Sequence, residues 1–293
     1  MCGGDILKLG LVLSGGGIRG AVHIGVLKAL EENNINIDII GGTSSGSLVA
    51  ALYAMGYSPY HIYELFKRYG KVITAIDRKP IINGIGSYIT TKKFNISGIN
   101  NGLAIENLYN EFASKKDIFK IKDIKIPIVI PTIDIVDGKE YVFTNTIPKG
   151  EKGNKYITDI SIGTAVRASS SFPAIFCPCK YKDHIFLDGG TLDNAPIREV
   201  RLQGADKVIT VNFEPIKIST ESDVMDIVLR TIDIMGSKII EEDVRDSDLI
   251  LSIPTEDSIG FLDTNQIESL YRYGYNKTIR EMSQIKNLLN IVT

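Results

Sequence analysis

Short apolar runs alternate with amphipathic segments in the first half of the chain. The apolar run Leu7–Leu13 leads into a glycine-rich loop, and apolar residues then recur at helical spacing at Val22, Val26 and Leu30. A second apolar run follows at Ile37–Ile40. Two short apolar runs joined by one amphipathic helix are typical of parallel strands. The pattern therefore predicts a βαβ unit at the start of the chain.

Two more helices are predicted directly after this unit. The first begins near Gly46 and carries apolar residues at every third or fourth position. The second begins near Ser58, because serine is a good N-cap residue and Pro59 then occupies the first helical position. Both helices are expected to pack against the strands that precede them.

Strand patterns continue in the second half of the chain. Ile126–Val136 and Glu140–Thr144 flank an Asp-Gly pair and predict a hairpin. Lys207–Phe213 and Leu249–Ile253 are apolar enough to be two buried strands. Strands of this kind, with helices on both faces, predict an α/β fold: a three-layer α/β/α sandwich around a mostly parallel central sheet.

The C-terminal part of the chain is predicted to be largely helical. Asp223–Arg245 and Asn265–Leu289 both show helical spacing. No repeat and no linker rich in proline or serine divides the chain. We therefore expect one domain over residues 1–293, with the strand and helices of residues 214–293 packed on the same core.

Composition and charge exclude several classes of protein. The chain is 44% hydrophobic and 23% charged, which excludes disorder, and its net charge of −2 gives no positive field for nucleic acid. Three cysteines do not indicate an oxidising compartment. The apolar run Leu9–Leu13 is shorter than a signal peptide or a membrane span needs. The expectation is a soluble cytoplasmic protein whose contact with a membrane surface, if any, is local and transient.

A glycine-rich loop follows the first strand. Gly15–Gly17 are consecutive glycines between a strand and a helix, so several backbone N–H groups point into one small volume. Gly15, Gly17 and Gly20 also match the G-x-G-x-x-G pattern of dinucleotide-binding proteins. Those proteins need an acidic residue at the end of the second strand, whereas Asp38 begins that strand here. A nucleotide-binding or regulatory protein remains an alternative of a different class.

The second strand ends in a possible nucleophile. Residues 42–46, GTSSG, match the G-x-S-x-G pattern that places a serine on a tight strand-to-helix turn. Gly42 and Gly46 would allow the strained turn and leave space around the Ser44 hydroxyl, and the following helix would favour developing negative charge. The glycine-rich loop lies at the end of the neighbouring predicted strand, where donors to an oxyanion are needed.

A nucleophilic serine needs a base, and the sequence offers two kinds of candidate. The histidines are His23, His61 and His184. The first two lie in predicted helices, and the third opens the short strand 185–187. Asp188 closes that strand and precedes Gly189 and Gly190, which would leave its side chain unencumbered, although an ordinary Asp-Gly turn has the same sequence. The carboxyl group of Asp188 is the favoured base, and His184 is the alternative.

Several motifs together resemble the patatin-like phospholipase family. GGGIRG, GTSSG and DGG occur in the family's order, and residues 165–176 followed by DGGTLDNAP resemble a further block, so the resemblance spans residues 9 to about 213. It implies a patatin-like fold and a Ser-Asp dyad, with Ser44 as nucleophile and Asp188 as general base. The oxyanion hole would be formed by the backbone N–H groups of Gly15, Gly16 and Gly17. The other motif glycines are Gly20, Gly42, Gly46, Gly189 and Gly190.

The resemblance also implies the reaction. It predicts hydrolysis of fatty-acyl esters of the phospholipase A or lysophospholipase type, through an acyl-enzyme, with no cofactor, metal or calcium ion. A thioesterase or general carboxylesterase with the same dyad is the alternative within the enzymes. Because the ordinary pKa of an aspartate is near 4, we expect a rate profile without the inflection near about 6.5 that a histidine base gives.

Three weaker signals have competing interpretations. Arg19 is expected to brace the glycine loop through a carboxylate, or alternatively to hold a lipid phosphate. The irregular segment Lys71–Gly102 is either a lid over the acyl channel or an ordinary surface excursion. Cys177 and Cys179 with His184 resemble zinc ligands only loosely, because the cysteines are closer together than in ordinary zinc sites.

Overall fold

The computed structural model describes residues 7–75, 98–151, 155–214, 246–254 and 262–291, together with 230, 231, 234–236 and 238. The strands are β1 Leu9–Leu13, β2 Ile39–Gly42, β3 Ile128–Asp134, β4 Lys139–Thr144, β5 Tyr156–Ile157, β6 Cys179–Tyr181, β7 His184–Asp188, β8 Lys207–Phe213 and β9 Leu249–Ile253. The helices are α1 Ala21–Glu32, α2 Ser45–Ala54, α3 Pro59–Ile73, α4 Leu103–Ser114, α5 Ile162–Ser169, α6 Ile197–Leu202, α7 Ile267–Arg280 and α8 Met282–Leu288.

The described strands form one mostly parallel sheet. Its order is β5-β4-β3-β2-β1-β8-β9, and β3, β2, β1, β8 and β9 run parallel to one another. β4 and β7 both pair with β3 in the antiparallel direction. Leu11 and Leu13 of β1 belong to one hydrophobic cluster and Val12 to another, so both faces of the sheet are covered. The predicted three-layer α/β/α sandwich is confirmed.

The predicted elements agree with the observed ones in most places. α3 begins at Pro59, and the Ser58 hydroxyl accepts a hydrogen bond from the backbone N–H of His61, as expected for an N-cap. Leu249–Ile253 is a strand, but it lies at the edge of the sheet, and Ile250 is exposed. The C-terminal helical region is broken at Glu281 into α7 and α8.

Two sequence predictions fall largely on undescribed residues. Most of the predicted helix Asp223–Arg245 lies outside the described residues, and so do residues 76–97 of the segment considered as a lid. The start of that segment, up to Ile73, belongs to α3. Within the described residues, no helix has both the length and the apolar character needed to cross a bilayer.

The sheet brings three loops to one edge. β1 and β2 are neighbouring parallel strands whose last residues, Leu13 and Gly42, pair directly, so the glycine loop and the turn at Ser44 leave the sheet side by side. β3 lies beside β2, and its Thr132 pairs with Asp188 at the end of β7. Ligand sites of open α/β sheets form at the carboxyl ends of the parallel strands, and this is where the three loops meet.

Candidate active site

Ser44 lies on a strained turn between β2 and α2. Its backbone has φ 52° and ψ −122°, a conformation that side-chain-bearing residues rarely adopt. The turn fits only because its neighbours are small. A Cβ atom at Gly42 would lie 2.5 Å from the carbonyl of Gly46, and one at Gly46 would collide with the carbonyl oxygen of Leu13. The two glycines of the G-x-S-x-G motif therefore have a steric role.

Serine hydroxyls at the end of α5 and in α2 hold the backbone of Ser44. The N–H of Ser44 donates to Ser169 Oγ at 3.2 Å, and the carbonyl of Ser44 accepts from Ser170 Oγ at 3.2 Å and Ser47 Oγ at 2.6 Å. These bonds fix both peptide groups of the strained residue. Sequence reasoning did not single out Ser169 or Ser170 individually, although the ASSSFP stretch that contains them was part of the family resemblance.

Asp188 ends β7 and is almost completely buried, with 2% of its surface exposed. Its Oδ1 accepts a hydrogen bond of 2.8 Å from the backbone N–H of Gly190. The Ser44 hydroxyl approaches the carboxyl group closely enough to affect its pKa as a donor, although among the described residues Oδ2 has no partner at full hydrogen-bond geometry. Loose geometry of this kind is common where no substrate is bound. The structure thus brings Ser44 and Asp188 together.

Burial changes the expected titration of Asp188. Removal from water raises its pKa to about 7, and hydrogen bonding from Ser44 and Gly190 offsets only part of this effect. The sequence analysis expected no inflection near neutral pH, because it assigned this carboxyl group the ordinary pKa of an aspartate. The structure corrects that expectation: a base at Asp188 gives an inflection near pH 7 without any histidine.

The three glycines of the loop have different surroundings. The N–H of Gly15 donates to the backbone oxygen of Asn194 at 3.2 Å and to its Oδ1 at 3.1 Å, and the N–H of Gly16 donates to Ser45 Oγ at 3.1 Å. Gly17 has φ 59°, which favours glycine. Among the described residues, no acceptor is found for the N–H groups of Gly17 and Ile18, and both residues line the same pocket as Ser44.

Arg19 braces the glycine loop. Its side chain is buried, Nε donates to the carbonyl of Gly16 at 3.1 Å, and Nη1 donates to the carbonyl of Glu214 at 3.3 Å. The guanidinium also lies over the ring of Phe213, 4.9 Å from its centroid. The bracing role is the one that the sequence favoured, but these contacts are with carbonyl oxygens and a ring, whereas a carboxylate was expected.

The histidines lie elsewhere. His23 is fully buried in α1, its Nε2 donates to the carbonyl of Ser14 at 2.8 Å, and burial lowers its pKa to about 4. His61 Nδ1 hydrogen-bonds the N-cap hydroxyl of Ser58 at 2.8 Å. His184 Nδ1 is 2.6 Å from Asp134 Oδ2, at the opposite end of β7 from Asp188. Four residues of extended strand span about 13 Å, so His184 is poorly placed to act on Ser44.

An apolar pocket opens beside Ser44. Its empty volume is about 650 Å³, part of which is open to solvent, and this is within the usual range of ligand pockets. The wall is formed mainly by α2, α3, α4 and α7. Its apolar side chains are Ile18, Leu48, Phe66, Ile73, Ile105, Phe172, Phe176, Leu262 and Ile267. The pocket therefore suits a hydrocarbon chain whose reactive end reaches Ser44.

The described residues do not form a metal centre. Among them, no group of three or more histidine, cysteine, aspartate or glutamate side chains is arranged to bind an ion. The cysteines considered as zinc ligands make other contacts: Cys177 Sγ lies 3.7 Å from the carbonyl of Gly98, and buried Cys179 Sγ lies 4.0 Å from that of Thr164.

Comparisons of sequence relate the chain to lysophospholipases. It is 34% identical over 207 residues to lysophospholipase NTE1 of Debaryomyces hansenii, a match that covers 70% of this chain and 12% of the relative. It is 28% identical over 294 residues to lysophospholipase NTE1 of Lodderomyces elongisporus, covering 91% of this chain and 18% of the relative. The chain thus spans less than a fifth of the length of these relatives.

Comparisons of structure agree on the fold. VipD from Legionella pneumophila matches with a TM-score of 0.54 at 15% identity, covering 96% of this chain and 67% of that one. Human GIVD cytosolic phospholipase A2, in complex with methyl gamma-linolenyl fluorophosphonate, matches with a TM-score of 0.53 at 10% identity, covering 97% and 59%. The family model described as patatin-like phospholipase matches residues 11–201. The chain therefore belongs to the patatin-like phospholipase family, as its motifs indicated.

Proposed function

We propose that this protein is a lipid acyl hydrolase of the phospholipase A or lysophospholipase type, with Ser44 as nucleophile and Asp188 as general base. The observation that carries the proposal is the position of Ser44: its strained turn lies between a buried carboxyl group and the opening of an apolar pocket. Family membership and the names of the relatives support the lipid ester as substrate.

The first half of the reaction transfers the acyl group to the enzyme. Ionised Asp188 accepts the proton of the Ser44 hydroxyl while Oγ attacks the ester carbonyl carbon, forming a tetrahedral intermediate. The intermediate collapses when the bond to the leaving alcohol breaks, and Asp188 returns the proton to that alcohol oxygen. Ser44 then carries the acyl group as an ester. Burial of Asp188 favours proton acceptance, because it raises the pKa toward the pH at which the enzyme works.

The second half of the reaction releases the fatty acid. Asp188 accepts a proton from water, the hydroxide oxygen attacks the acyl carbonyl, and the proton passes to Ser44 Oγ as the ester bond breaks. In both halves the carbonyl oxygen becomes an oxyanion that needs nearby donors. The N–H groups of Gly17 and Ile18 are the best candidates because they are not committed to other acceptors among the described residues. Gly15 and Gly16 contribute mainly by shaping the loop.

The lining of the pocket favours an acyl substrate over a nucleotide. Leu48, Ile105 and Phe176 are among the side chains that surround the space beside Ser44, and they offer no partner for ribose or phosphate oxygens. At the end of β2, where a dinucleotide-binding protein carries an acidic residue, this chain has Gly42 followed by Thr43 and Ser44. The glycine loop therefore serves better as part of a hydrolase site.

The test uses a mixture of phospholipids, lysophospholipids and acyl thioesters. The mixture is incubated with the wild type, with Ser44→Ala and with Ser114→Ala, which removes an exposed serine at the end of α4 as a control. Mass spectrometry of the products should show free fatty acid from lipid esters with the wild type and the control, and none with Ser44→Ala. Equal release by Ser44→Ala, or cleavage of the thioesters alone, would contradict the proposal.

A further inference from the structure

Asn194 connects the glycine loop to the turn that carries Asp188. Its backbone oxygen and its Oδ1 both accept from the N–H of Gly15, at 3.2 and 3.1 Å, and its Nδ2 lies 3.5 Å from the Gly15 carbonyl. Asn194 is separated from Gly15 by 179 positions in sequence. The glycine loop is therefore held by the same short segment that follows Asp188.

The Asn194 side chain is close to both Ser44 and Asp188. The position of a Cβ atom at Gly190 lies 2.8 Å from Asn194 Oδ1 and 3.1 Å from Asp188 Oδ1, so these two oxygens are no more than about 6 Å apart. A Cβ atom at Gly15 would collide with Asn194 Oδ1 and would lie 3.1 Å from the Cβ of Ser44. The absence of side chains at Gly15 and Gly190 leaves room for the amide between the two loops.

The segment between Asp188 and Asn194 is itself anchored. The N–H of Asp193 donates to the carbonyl of Gly189 at 2.8 Å, and the carbonyl of Asp193 accepts from Thr43 Oγ1 at 2.9 Å. Thr43 immediately precedes Ser44. The turn that carries Asp188 is thus fastened to the nucleophile turn through Thr43 and to the glycine loop through Asn194.

An amide suits this position for a chemical reason. It offers an acceptor for the N–H of Gly15 and a donor for its carbonyl at the same time. It is also neutral, whereas a carboxylate would place a second negative charge beside Asp188 and beside the oxyanion. Alanine would offer neither bond. The side chain meets the requirements of a joint between a loop that donates to an oxyanion and a loop that carries a base.

We propose that Asn194 is a positioning residue that sets the geometry between the amides of the glycine loop and the carboxyl group of Asp188. The inference rests on the proposed function. It predicts that loss of the side chain slows the chemical step while substrate binding in the apolar pocket is retained, because Asn194 is not among the residues that line that pocket.

The test compares three variants on a soluble medium-chain nitrophenyl ester. Asn194→Ala should lower kcat by about tenfold to a hundredfold and leave KM within about twofold, because small displacements of reacting groups have effects of this size. Asn145→Ala is the matched control, since Asn145 also makes three hydrogen bonds to backbone groups, at Ile124, Ile126 and Ile128. That variant should lose thermal stability but keep kcat within about twofold.

Asn194→Asp gives an independent measurement if the alanine variant does not fold. The substitution keeps the size of the side chain and adds a negative charge within about 6 Å of the Asp188 carboxyl group. The midpoint of the pH profile of kcat/KM should rise by at least about half a pH unit. A purely structural role for Asn194 would not move that midpoint.

The outcomes separate this inference from the proposed function. A wild type that hydrolyses the ester, together with an Asn194→Ala variant whose kcat is within twofold of it, overturns the inference alone. An unmoved midpoint in Asn194→Asp, or an equal loss of kcat in Asn145→Ala, also overturns it. A wild type that hydrolyses no ester overturns the proposed function and this inference with it.

Discussion

Replacing Asp188 with asparagine should stabilise the fold at alkaline pH while it abolishes hydrolysis. The pKa of this carboxyl group is about 7 in the folded protein against 3.8 in an unfolded chain, because burial disfavours the charged form. Each pKa unit corresponds to about 1.4 kcal/mol, so the ionised carboxylate lowers the free energy of unfolding by about 4 kcal/mol above pH 7. Asparagine carries no charge and avoids that penalty.

The sign of the pH dependence follows from proton binding. The folded state holds the proton of Asp188 more tightly than the unfolded state does, so the stability from this group is fully present below pH 4 and is lost as the pH rises through 7. Urea unfolding of the wild type and Asp188→Asn between pH 4 and pH 8.5 measures the effect. The free energy of unfolding of the variant should gain on that of the wild type across this range, by up to about 4 kcal/mol.

Asp134 provides a matched control with the opposite sign. It is also buried at 2% exposure, but its pKa is lowered, because hydrogen bonds from the N–H of Val136, from His184 and from the N–H of Ile185 outweigh the effect of burial. Asp134→Asn should therefore be less stable than the wild type at neutral pH, and the difference should shrink as the pH falls through the pKa of Asp134. A constant difference between the wild type and Asp188→Asn at every pH would refute the reasoning.

Three other predictions follow from contacts around the site. Ser44→Gly should be more stable than Ser44→Ala by about 1 to 3 kcal/mol in urea unfolding, because glycine adopts φ 52° without strain; equal stability would contradict the strain. Ser169→Ala should lower kcat on a nitrophenyl ester by about tenfold or more, because the N–H of Ser44 loses its acceptor; an unchanged kcat would show that this bond does not hold the nucleophile. Lys155→Met should destabilise the protein by about 3 kcal/mol, since Glu199 is buried and loses its ion pair; thermal denaturation that matches the wild type would contradict this.

The sequence predicted the parts of the site that depend on local geometry. Gly42 and Gly46 were expected from the sterics of a tight strand-to-helix turn, and the contacts that a Cβ atom would make at those positions are the reason for them. The order of strands and helices around Ser44 could be predicted for the same reason, since apolar periodicity and the cap at Ser58 are properties of short segments.

Other features depend on residues that are distant in sequence. The pKa of Asp188 is set by burial, which the segment around it does not determine, so the sequence analysis placed it near 4. The partner of the Gly15 N–H is 179 positions away, and the serine that holds the N–H of Ser44 is 125 positions away. Ile250 is exposed because β9 lies at the sheet edge, and an apolar run does not indicate its place in the sheet.

The central claim is that the Ser44 oxygen attacks an electrophile with help from the Asp188 carboxyl group. Intact-mass analysis and peptide mapping after treatment with a fluorophosphonate test it most directly. The account predicts one adduct on the wild type at Ser44, an adduct rate that rises with pH through about 7 in both the wild type and His184→Ala, slow labelling of Asp188→Asn and none of Ser44→Ala. Labelling of Ser44→Ala at the wild-type rate, or a pH dependence that disappears in His184→Ala, would contradict it.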